Sequence, residues 1–317
     1  MNINIMLKNK KKIFFSILGI LFILTPSNSY ASILTIFKPL GFIAAAIAHN
    51  VTKVEVILPD GATVQNYYLR PLDLVKIKHS DVIILIGDQI EPFFLKKAIN
   101  YFKKKTIVLS EVKSIKFLLT HDFNFEKSKK KQKNTLQNEK EINNISYDMH
   151  IWLSPQIALE SAIVIHDMLL KLIPQKKNII EKNLKHFKSC LSKTNKDIKK
   201  NISSIKERKY FTFHNAYKYF EKFYGLHPLG RFTRYPGIQT GAKYLYEIKK
   251  QLLKKKARCI FTEPHLNSNI IDVITRGINI EKGNLDLFGI AIPLVQNSYV
   301  NFLVKLSNQY ISCLKHI

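Results

Sequence analysis

One long amphipathic segment constrains the fold of this chain more than any other feature. After Pro174 the apolar residues fall three, four or seven positions apart, the spacing of one face of an α-helix, and the polar side is mostly lysine. These apolar residues are Ile180, Leu184, Phe187, Leu191, Ile198, Ile202 and Ile205. About thirty residues at about 1.5 Å each span roughly 45 Å, enough to cross a whole domain. We therefore predict a stiff helix over residues 174–207 that connects two parts of the molecule.

Short β-branched runs alternate with helical patterns on either side of this segment, as in α/β domains that contain parallel sheets. Ser154 and Pro155 have the residue types of a helix N-cap and of a first helical position, and the helix continues through Ile157–Leu172. We predict an N-terminal α/β lobe over residues 32–173, with a mobile Lys-, Asn- and Glu-rich loop at 124–146, and a C-terminal α/β lobe over residues 208–317. The candidate strands are Lys53–Leu58, Asp81–Ile86, Thr106–Leu109, Tyr210–Phe213 and Cys259–Thr262.

The first 31 residues have the features of an export signal. Several lysines precede an apolar run from Ile13 to Leu24, and Ala31 ends a short Ser-Tyr-Ala sequence typical of a cleavage site. An uncleaved membrane anchor is the alternative, but twelve mainly apolar residues are short for a span that needs about twenty. We predict cleavage after Ala31, which leaves 286 of the 317 residues, enough for two domains of ordinary size.

The formal net charge of +27 requires a nucleic-acid partner to be considered, because clustered basic residues neutralise phosphates. Only six of the 50 basic residues are arginine, whereas recognition of bases and phosphates favours the planar guanidinium group. Lysine runs such as Lys103–Lys105 and Lys254–Lys256 lie in separate segments. We interpret most of the lysines as solvated surface and predict no nucleic-acid partner.

Three cysteines are present, and in an exported protein two of them can form a disulfide. Cys259 opens an apolar candidate strand, and Cys313 lies on the apolar face of a terminal helix that also carries Phe302 and Leu306. A bridge between these two cysteines would tie the terminal helix to the sheet. We therefore predict a Cys259–Cys313 disulfide and a free Cys190.

Side chains suited to a metal ion are spread along the chain. His150, His214 and Asp286 offer two imidazole nitrogens and one carboxylate, a set that zinc accepts readily. His214 and Glu263 each follow a candidate strand, and ligands of open parallel sheets bind beyond the carboxyl ends of the strands. Each residue also has a structural interpretation: the histidines as packed rings, Asp286 as a turn residue and Glu263 as a carboxylate beside the site. We predict a metal cleft between the two lobes.

Five segments, in order along the chain, together resemble a known family. They are ILPDGA with YYLRP, DMHIWLSP, FTFHNAYKYFEK, CIFTEP and LDLFG. The chain resembles the periplasmic zinc-binding component of bacterial high-affinity zinc-uptake ABC transporters, in the metal-specific cluster of solute-binding proteins, over nearly its whole length after the export signal. The resemblance implies two Rossmann-like lobes joined by one long rigid helix, with the metal ion in the cleft between them.

The resemblance also implies a set of ligands. By matching motif, His150 and His214 correspond to the second and third histidines of the family, and Asp286 corresponds to its C-terminal carboxylate. The first histidine of the family corresponds to Gln65, whose neutral amide oxygen is a poor exchange for imidazole toward zinc. We expect weakened zinc binding rather than none, since three protein groups plus water is a common open coordination.

The function implied by the resemblance is that of a periplasmic solute-binding protein, which captures Zn²⁺ and delivers it to a membrane permease. Cys259 and Cys313 match a disulfide of zinc-type members. We expect a monomer without enzymatic activity. Two alternatives stay open: a manganese- or iron-binding member of the same cluster, and a metal-dependent hydrolase that uses His150, His214 and Asp286, although no HExxH helix or nucleophile elbow accompanies these residues.

Overall fold

The computed structural model of the chain describes residues 31–63, 67–122, 146–233, 241–255, 257–264 and 269–315. From Ala31 onward the chain forms one compact unit. Within the described ranges, no helix combines the length and the apolar character needed to cross a membrane.

A parallel four-stranded sheet organises the N-terminal half of the described chain. Its strands are β1 (Ile33–Thr35), β2 (Val54–Val56), β3 (Val82–Leu85) and β4 (Lys105–Val108), in the spatial order β2-β1-β3-β4. All neighbouring strands are parallel, and Ile33 lies opposite both Val54 and Val82. The helices of this half are α1 (Lys38–Ala48), α2 (Pro71–His79), α3 (Phe93–Tyr101), α4 (Lys113–Lys116) and α5 (Pro155–Leu172).

The C-terminal half repeats this topology after the long helix α6 (Lys177–Ile202). Its strands are β5 (Tyr210–Thr212), β6 (Gly230–Arg231), β7 (Cys259–Thr262) and β8 (Glu281–Asn284), in the order β6-β5-β7-β8, again with all neighbours parallel. The helices are α7 (Lys218–Tyr224), α8 (Ala242–Lys255), α9 (Asn269–Thr275) and α10 (Ser298–Lys315). Two parallel sheets connected through one long helix confirm the predicted α/β fold.

The five candidate strands are all present, and Cys259–Thr262 has the predicted bounds. The other four differ by one or two residues at their ends. β1, β6 and β8 were not predicted. A hydrophobic pattern is the main sequence signal for a strand, and β6 and β8 lack it. β6 has only two residues, and β8 reads Glu-Lys-Gly-Asn at the edge of the sheet. A Cβ atom at Gly283 of β8 would lie 2.7 Å from the Phe261 ring, so glycine is needed for this close approach.

The long helix is shorter than predicted. The α-helical part is Lys177–Ile202, and the ends of the predicted range 174–207 instead contain 3-10 turns at Pro174–Lys176 and Ser203–Ile205. All seven apolar residues that predicted the helix are buried. They contact α1, α5 and α10, so α6 is part of a packed helical layer and not an isolated connector. Helix α10 comes from the end of the chain, which ties the last residues to the N-terminal half.

The hydrophobic core extends through both halves of the molecule. One large cluster includes β1 and β3 of the first sheet, the buried face of α6, and Cys259 and Phe261 of β7. A smaller cluster surrounds Phe211 and Ile260 on the other face of the second sheet. The boundaries predicted for the lobes, 32–173 and 208–317, stay predictions, since the larger core does not divide at the long helix.

The Lys-rich segment predicted as a loop at 124–146 lies outside the described residues except for its last position. Ser146 is buried and accepts a hydrogen bond from the N–H of Asp122 (2.7 Å). His121 and Tyr147 pair next to it in an antiparallel bridge. Ser146 therefore belongs to the base where the two chain segments meet, and the mobile loop at 124–146 stays a prediction.

The predicted disulfide is confirmed. Cys259 at the start of β7 is bonded to Cys313 near the end of α10, with a Cα–Cα distance of 6.0 Å. Both cysteines are buried. Cys190 on α6 is free and partly buried, as predicted. The bridge fixes α10 to a central strand of the second sheet.

A buried carboxylate, Glu221 of α7, joins several elements of the C-terminal half. It accepts hydrogen bonds from the hydroxyl groups of Tyr210 (3.0 Å) and Tyr310 (3.4 Å), and a guanidinium nitrogen of Arg231 lies 3.8 Å from its other oxygen. Burial raises the pKa of Glu221 to about 7, although the Arg231 charge and the tyrosine hydroxyls act in the opposite direction. The protonated form is therefore favoured by the folded state.

Because of this raised pKa, we expect the folded protein to lose stability relative to a Glu221→Gln variant as the pH rises from about 4 to about 7. An unfolded glutamate has a pKa of about 4.3, so the stabilisation is complete below that pH and is lost as the pH passes the folded pKa. Urea unfolding of both proteins at about pH 5 and about pH 8 measures the effect. A difference in free energy of unfolding that is the same at both pH values would contradict the expectation.

Candidate functional site

Two of the predicted site residues, His150 and His214, lie next to each other. His150 precedes the 3-10 turn Ile151–Leu153, and His214 lies two residues beyond β5. Their ring centroids are 5.5 Å apart. The His150 side chain is 22% exposed and the His214 side chain only 5%. The two imidazoles thus form a largely enclosed pair that is reached from the side of His150.

Each imidazole has a carboxylate at its Nδ1 atom. His150 Nδ1 lies 2.7 Å from Asp148 Oδ1, which also accepts the backbone N–H of His150 (3.0 Å). His214 Nδ1 lies 2.5 Å from Glu263 Oε1. A carboxylate at Nδ1 holds the proton on that nitrogen and leaves the lone pair on Nε2, the arrangement found behind metal-bound histidines. Asp148 therefore orients the His150 ring through a hydrogen bond, and Glu263 lies at ion-pair distance from the His214 ring.

The positions of these side chains follow from the sheet. β5, β7 and β8 are parallel neighbours, so their carboxyl ends lie at one edge. His214, Glu263 and Asp286 follow these three strands by one or two residues. These three residues therefore lie beyond the carboxyl ends of the strands, the edge at which ligands of an open parallel sheet bind. His150 is brought to them by the turn that precedes α5, where Ser154 Oγ accepts the N–H of Ile157 (3.2 Å) as the predicted N-cap.

The Asp286 carboxylate is bound by hydrogen-bond donors and a lysine from its own half of the molecule. Asp286 is 2% exposed, and its Oδ1 accepts hydrogen bonds from the backbone N–H groups of Phe288 (3.2 Å) and Gly289 (2.8 Å). Its Oδ2 pairs with Lys305 Nζ of α10 at 2.7 Å. Across the described part of the chain, no three His, Cys, Asp or Glu side chains are grouped so that they could hold a metal ion. The structure thus brings the two histidines together, but not Asp286 with them.

An aromatic stack next to His150 crosses between the two halves. Trp152 stacks on Phe37 (5.3 Å between centroids) and on Phe288 (5.8 Å), and its ring centroid is 5.4 Å from that of His150. The indole N–H donates to the Leu287 carbonyl (3.0 Å). Phe37 and Trp152 come from the N-terminal half, while Leu287 and Phe288 come from the C-terminal half. The segment that carries Asp286 is therefore fixed against the turn that carries His150.

Two tyrosines of the segment after β5 make further links at the site. Burial, with the charges of Glu263 and Asp286, raises the pKa of Tyr217 well above its usual value, so its hydroxyl stays protonated and donates to the Leu285 carbonyl (3.0 Å). The Tyr219 hydroxyl donates to the carbonyl of Asp148 (2.7 Å). Asp148, the partner of His150, is thereby connected to the helix that follows His214.

Asp60 links the two halves at another point. Its carboxylate pairs with Lys38 Nζ (2.5 Å) and accepts the backbone N–H of Ala291 (3.1 Å). Partial burial raises the pKa of Asp60, but the hydrogen bonds from Lys38 and Ala291 and the charges of Lys38 and Lys305 lower it, and the net pKa lies below the usual value. Lys305 therefore affects two carboxylates: it forms an ion pair with Asp286, and its positive charge lowers the pKa of Asp60.

The sequence missed two residues that matter at the site. Asp148 was not singled out, although an acidic residue two positions before a candidate ligand histidine is a detectable signal for a partner at Nδ1. Lys305 was also missed, and only the packing of α10 against the segment after β8 reveals it. Gln65, the predicted counterpart of a ligand histidine, lies outside the described residues.

The sequence comparisons identify similar proteins. Residues 33–313 match the family model described as zinc-uptake complex component A, periplasmic. The high-affinity zinc uptake system protein ZnuA of Buchnera aphidicola subsp. Schizaphis graminum (strain Sg) is 79% identical over 317 residues, which is all of both chains. The protein of the same name from Yersinia pestis is 41% identical over 291 residues, or 90% of this chain and 92% of that one.

Solved structures share the fold. A crystal structure of ZnuA has a TM-score of 0.69 at 20% identity and covers 88% of this chain and 99% of that chain. The SBP FpvC from Pseudomonas aeruginosa in complex with Mn²⁺ has a TM-score of 0.72 at 17% identity and covers 90% of this chain and 99% of that one. At these identities the likeness supports the two-sheet fold with a long helix and not a particular metal.

Proposed function

The chain belongs to the family of the periplasmic component A of zinc-uptake complexes, and from this premise we propose how it performs zinc uptake. It is a solute-binding protein that captures Zn²⁺ in the periplasm and delivers it to the membrane permease of an ABC transporter. Zinc is the cargo and not a resident cofactor. The observation that carries the proposal is the His150–His214 pair, in which a carboxylate oxygen lies beside each Nδ1, on the side of the ring away from Nε2.

The proposed ligands are two nitrogens and one oxygen. His150 and His214 bind zinc through Nε2, and Asp286 supplies the carboxylate after exchanging its ion pair with Lys305 for the metal. Asp148 and Glu263 orient the two rings. Gln65 is the fourth candidate on sequence grounds alone, and water completes a coordination shell of four if the amide oxygen does not bind.

Neither alternative function is favoured. A pair of imidazoles suits zinc better than it suits manganese, which prefers oxygen-rich coordination. Members of this family are transport proteins, and we propose that this chain likewise binds and releases its cargo without chemistry of its own. Its direct partner is then the permease, it acts as a monomer, and it has no nucleic-acid partner. The signal segment directs export to the periplasm and is cleaved after Ala31.

Calorimetric titration of the metal-free mature protein with zinc tests this function. We expect one zinc ion per chain. We also expect Gln65→His to bind zinc more tightly than the native chain, because an imidazole nitrogen replaces a neutral amide oxygen. A native protein that binds no zinc would refute the proposed function, and an unchanged affinity in Gln65→His would remove residue 65 from the ligand set.

A conservative change at Glu263 tests the orientation of His214. Glu263→Gln keeps the shape of the side chain but removes the negative charge beside His214 Nδ1, and we expect zinc affinity to fall by about 10- to 100-fold. Glu281→Gln, on an exposed position of β8, is the matched control and should bind zinc as the native chain does. Equal affinities for Glu263→Gln and the control would show that His214 needs no carboxylate partner.

A further inference from the structure

Lys305 occupies the carboxylate that the proposed site would offer to a metal ion. Asp286 Oδ2 is 2.7 Å from Lys305 Nζ, and Oδ1 already accepts two backbone N–H groups. The side chain of Asp286 is only 3% exposed, and the ammonium of Lys305 is the charged partner that a cation would have to replace. The lysine is thus an internal competitor for the oxygen ligand.

The ammonium of Lys305 is held at this position by more than the ion pair. Its Nζ also donates to the Ile290 carbonyl (2.8 Å), in the same segment that carries Asp286. Helix α10, on which Lys305 lies, is fixed by the Cys259–Cys313 disulfide, and Gln309 of the same helix accepts the backbone N–H of Asp286 (2.9 Å). The lysine and the aspartate are therefore held in register by the fold.

The two classes of donor at the site affect different metals unequally. Zinc is commonly satisfied by four donors and accepts imidazole readily, whereas manganese favours six positions that are rich in oxygen. An oxygen ligand that is occupied by an ammonium is therefore a greater loss to manganese than to zinc. The positive charge itself opposes every divalent cation to the same degree.

We propose that Lys305 is a specificity-determining residue. Its ammonium competes with the metal ion for Asp286, so that binding depends mainly on the imidazoles of His150 and His214, which favour Zn²⁺ over Mn²⁺. The inference rests on the zinc site proposed above and adds a residue that contacts no metal. Lys305 would have two effects: its charge repels all cations, and its ion pair with Asp286 removes one oxygen ligand.

The test is a set of Zn²⁺ and Mn²⁺ titrations on the full mature chain. The variants are Lys305→Met, Asp286→Asn, the double variant, and Lys315→Met, which removes one charge from an exposed position of the same helix. We expect Lys305→Met to lower the ratio of zinc to manganese affinity by about tenfold or more, a difference of about 1.4 kcal/mol. Lys315→Met should leave the ratio unchanged, and Lys305→Met should have no effect on the ratio when Asp286 is already asparagine.

Two results would overturn the inference. One is an equal gain in affinity for both metals in Lys305→Met, which would show that the lysine only repels cations in general. The other is a change in the ratio that persists in the Asp286→Asn background. Thermal melts of each variant check folding, and Lys305→Gln replaces Lys305→Met if the latter does not fold. Failure of the zinc site itself is seen separately, as absence of zinc binding by the native chain.

Discussion

Replacing His214 with alanine should lower zinc affinity by more than about 100-fold, because loss of a partner that only orients a metal-bound histidine already costs about 10- to 100-fold. The side chain is 5% exposed and its Nδ1 lies beside Glu263, so the variant also leaves a buried carboxylate without its imidazole. Zinc titration by calorimetry measures the loss.

The matched control for His214 is His227, an exposed histidine in the segment after α7. His227→Ala should bind zinc as the native chain does. Circular dichroism of both variants separates loss of a ligand from loss of fold. A folded His214→Ala protein with native zinc affinity would show that the two neighbouring imidazoles do not hold the metal.

Removing the disulfide should have the largest effect on stability. Cys259 and Cys313 are 54 residues apart in sequence, and a closed loop of that length stabilises a fold by about 4 kcal/mol in the chain-entropy model. We expect the Cys259→Ala, Cys313→Ala double variant to lose about this much free energy of unfolding, as measured by urea denaturation under oxidising conditions.

Cys190→Ala is the control for the disulfide variant, because that cysteine is free and only partly buried. It should change the free energy of unfolding by less than about 1 kcal/mol. If the double variant were no less stable than this control, the bridge would contribute little and the packing of α10 alone would hold the end of the chain.

Much of the fold could be predicted from the sequence, since its elements carry strong hydrophobic patterns. The six apolar positions of α6 and Ile205 in the turn after it are all buried, and β7 has the predicted bounds because Cys-Ile-Phe-Thr is a continuous buried run. β8 could not be found in this way, because an edge strand of Glu-Lys-Gly-Asn is mostly exposed and forms through its backbone alone. The 3-10 turns at both ends of α6 likewise have no period that separates them from the helix.

The candidate site was predicted in part. His214 lies beyond the carboxyl end of β5 as expected, and the turn before α5 places His150 next to it, but their role as ligands stays a prediction. Glu263 was predicted as a carboxylate beside the site, but it is 49 positions from His214, and only the parallel pairing of β5 with β7 shows that the two are in contact. Lys305 is 19 positions from Asp286, and only the packing of α10 places these two in contact.

The stack of Trp152 with Phe37 and Phe288 has a spectroscopic consequence. Trp152 is the only tryptophan in the chain, and its ring lies 5.4 Å from the His150 imidazole while its N–H is bonded across to Leu287. Indole emission responds to a nearby charge and to the loss of such a hydrogen bond. The native chain therefore carries its own optical probe, placed where cargo would bind and where the two halves meet, and its fluorescence can follow metal capture and release without a label.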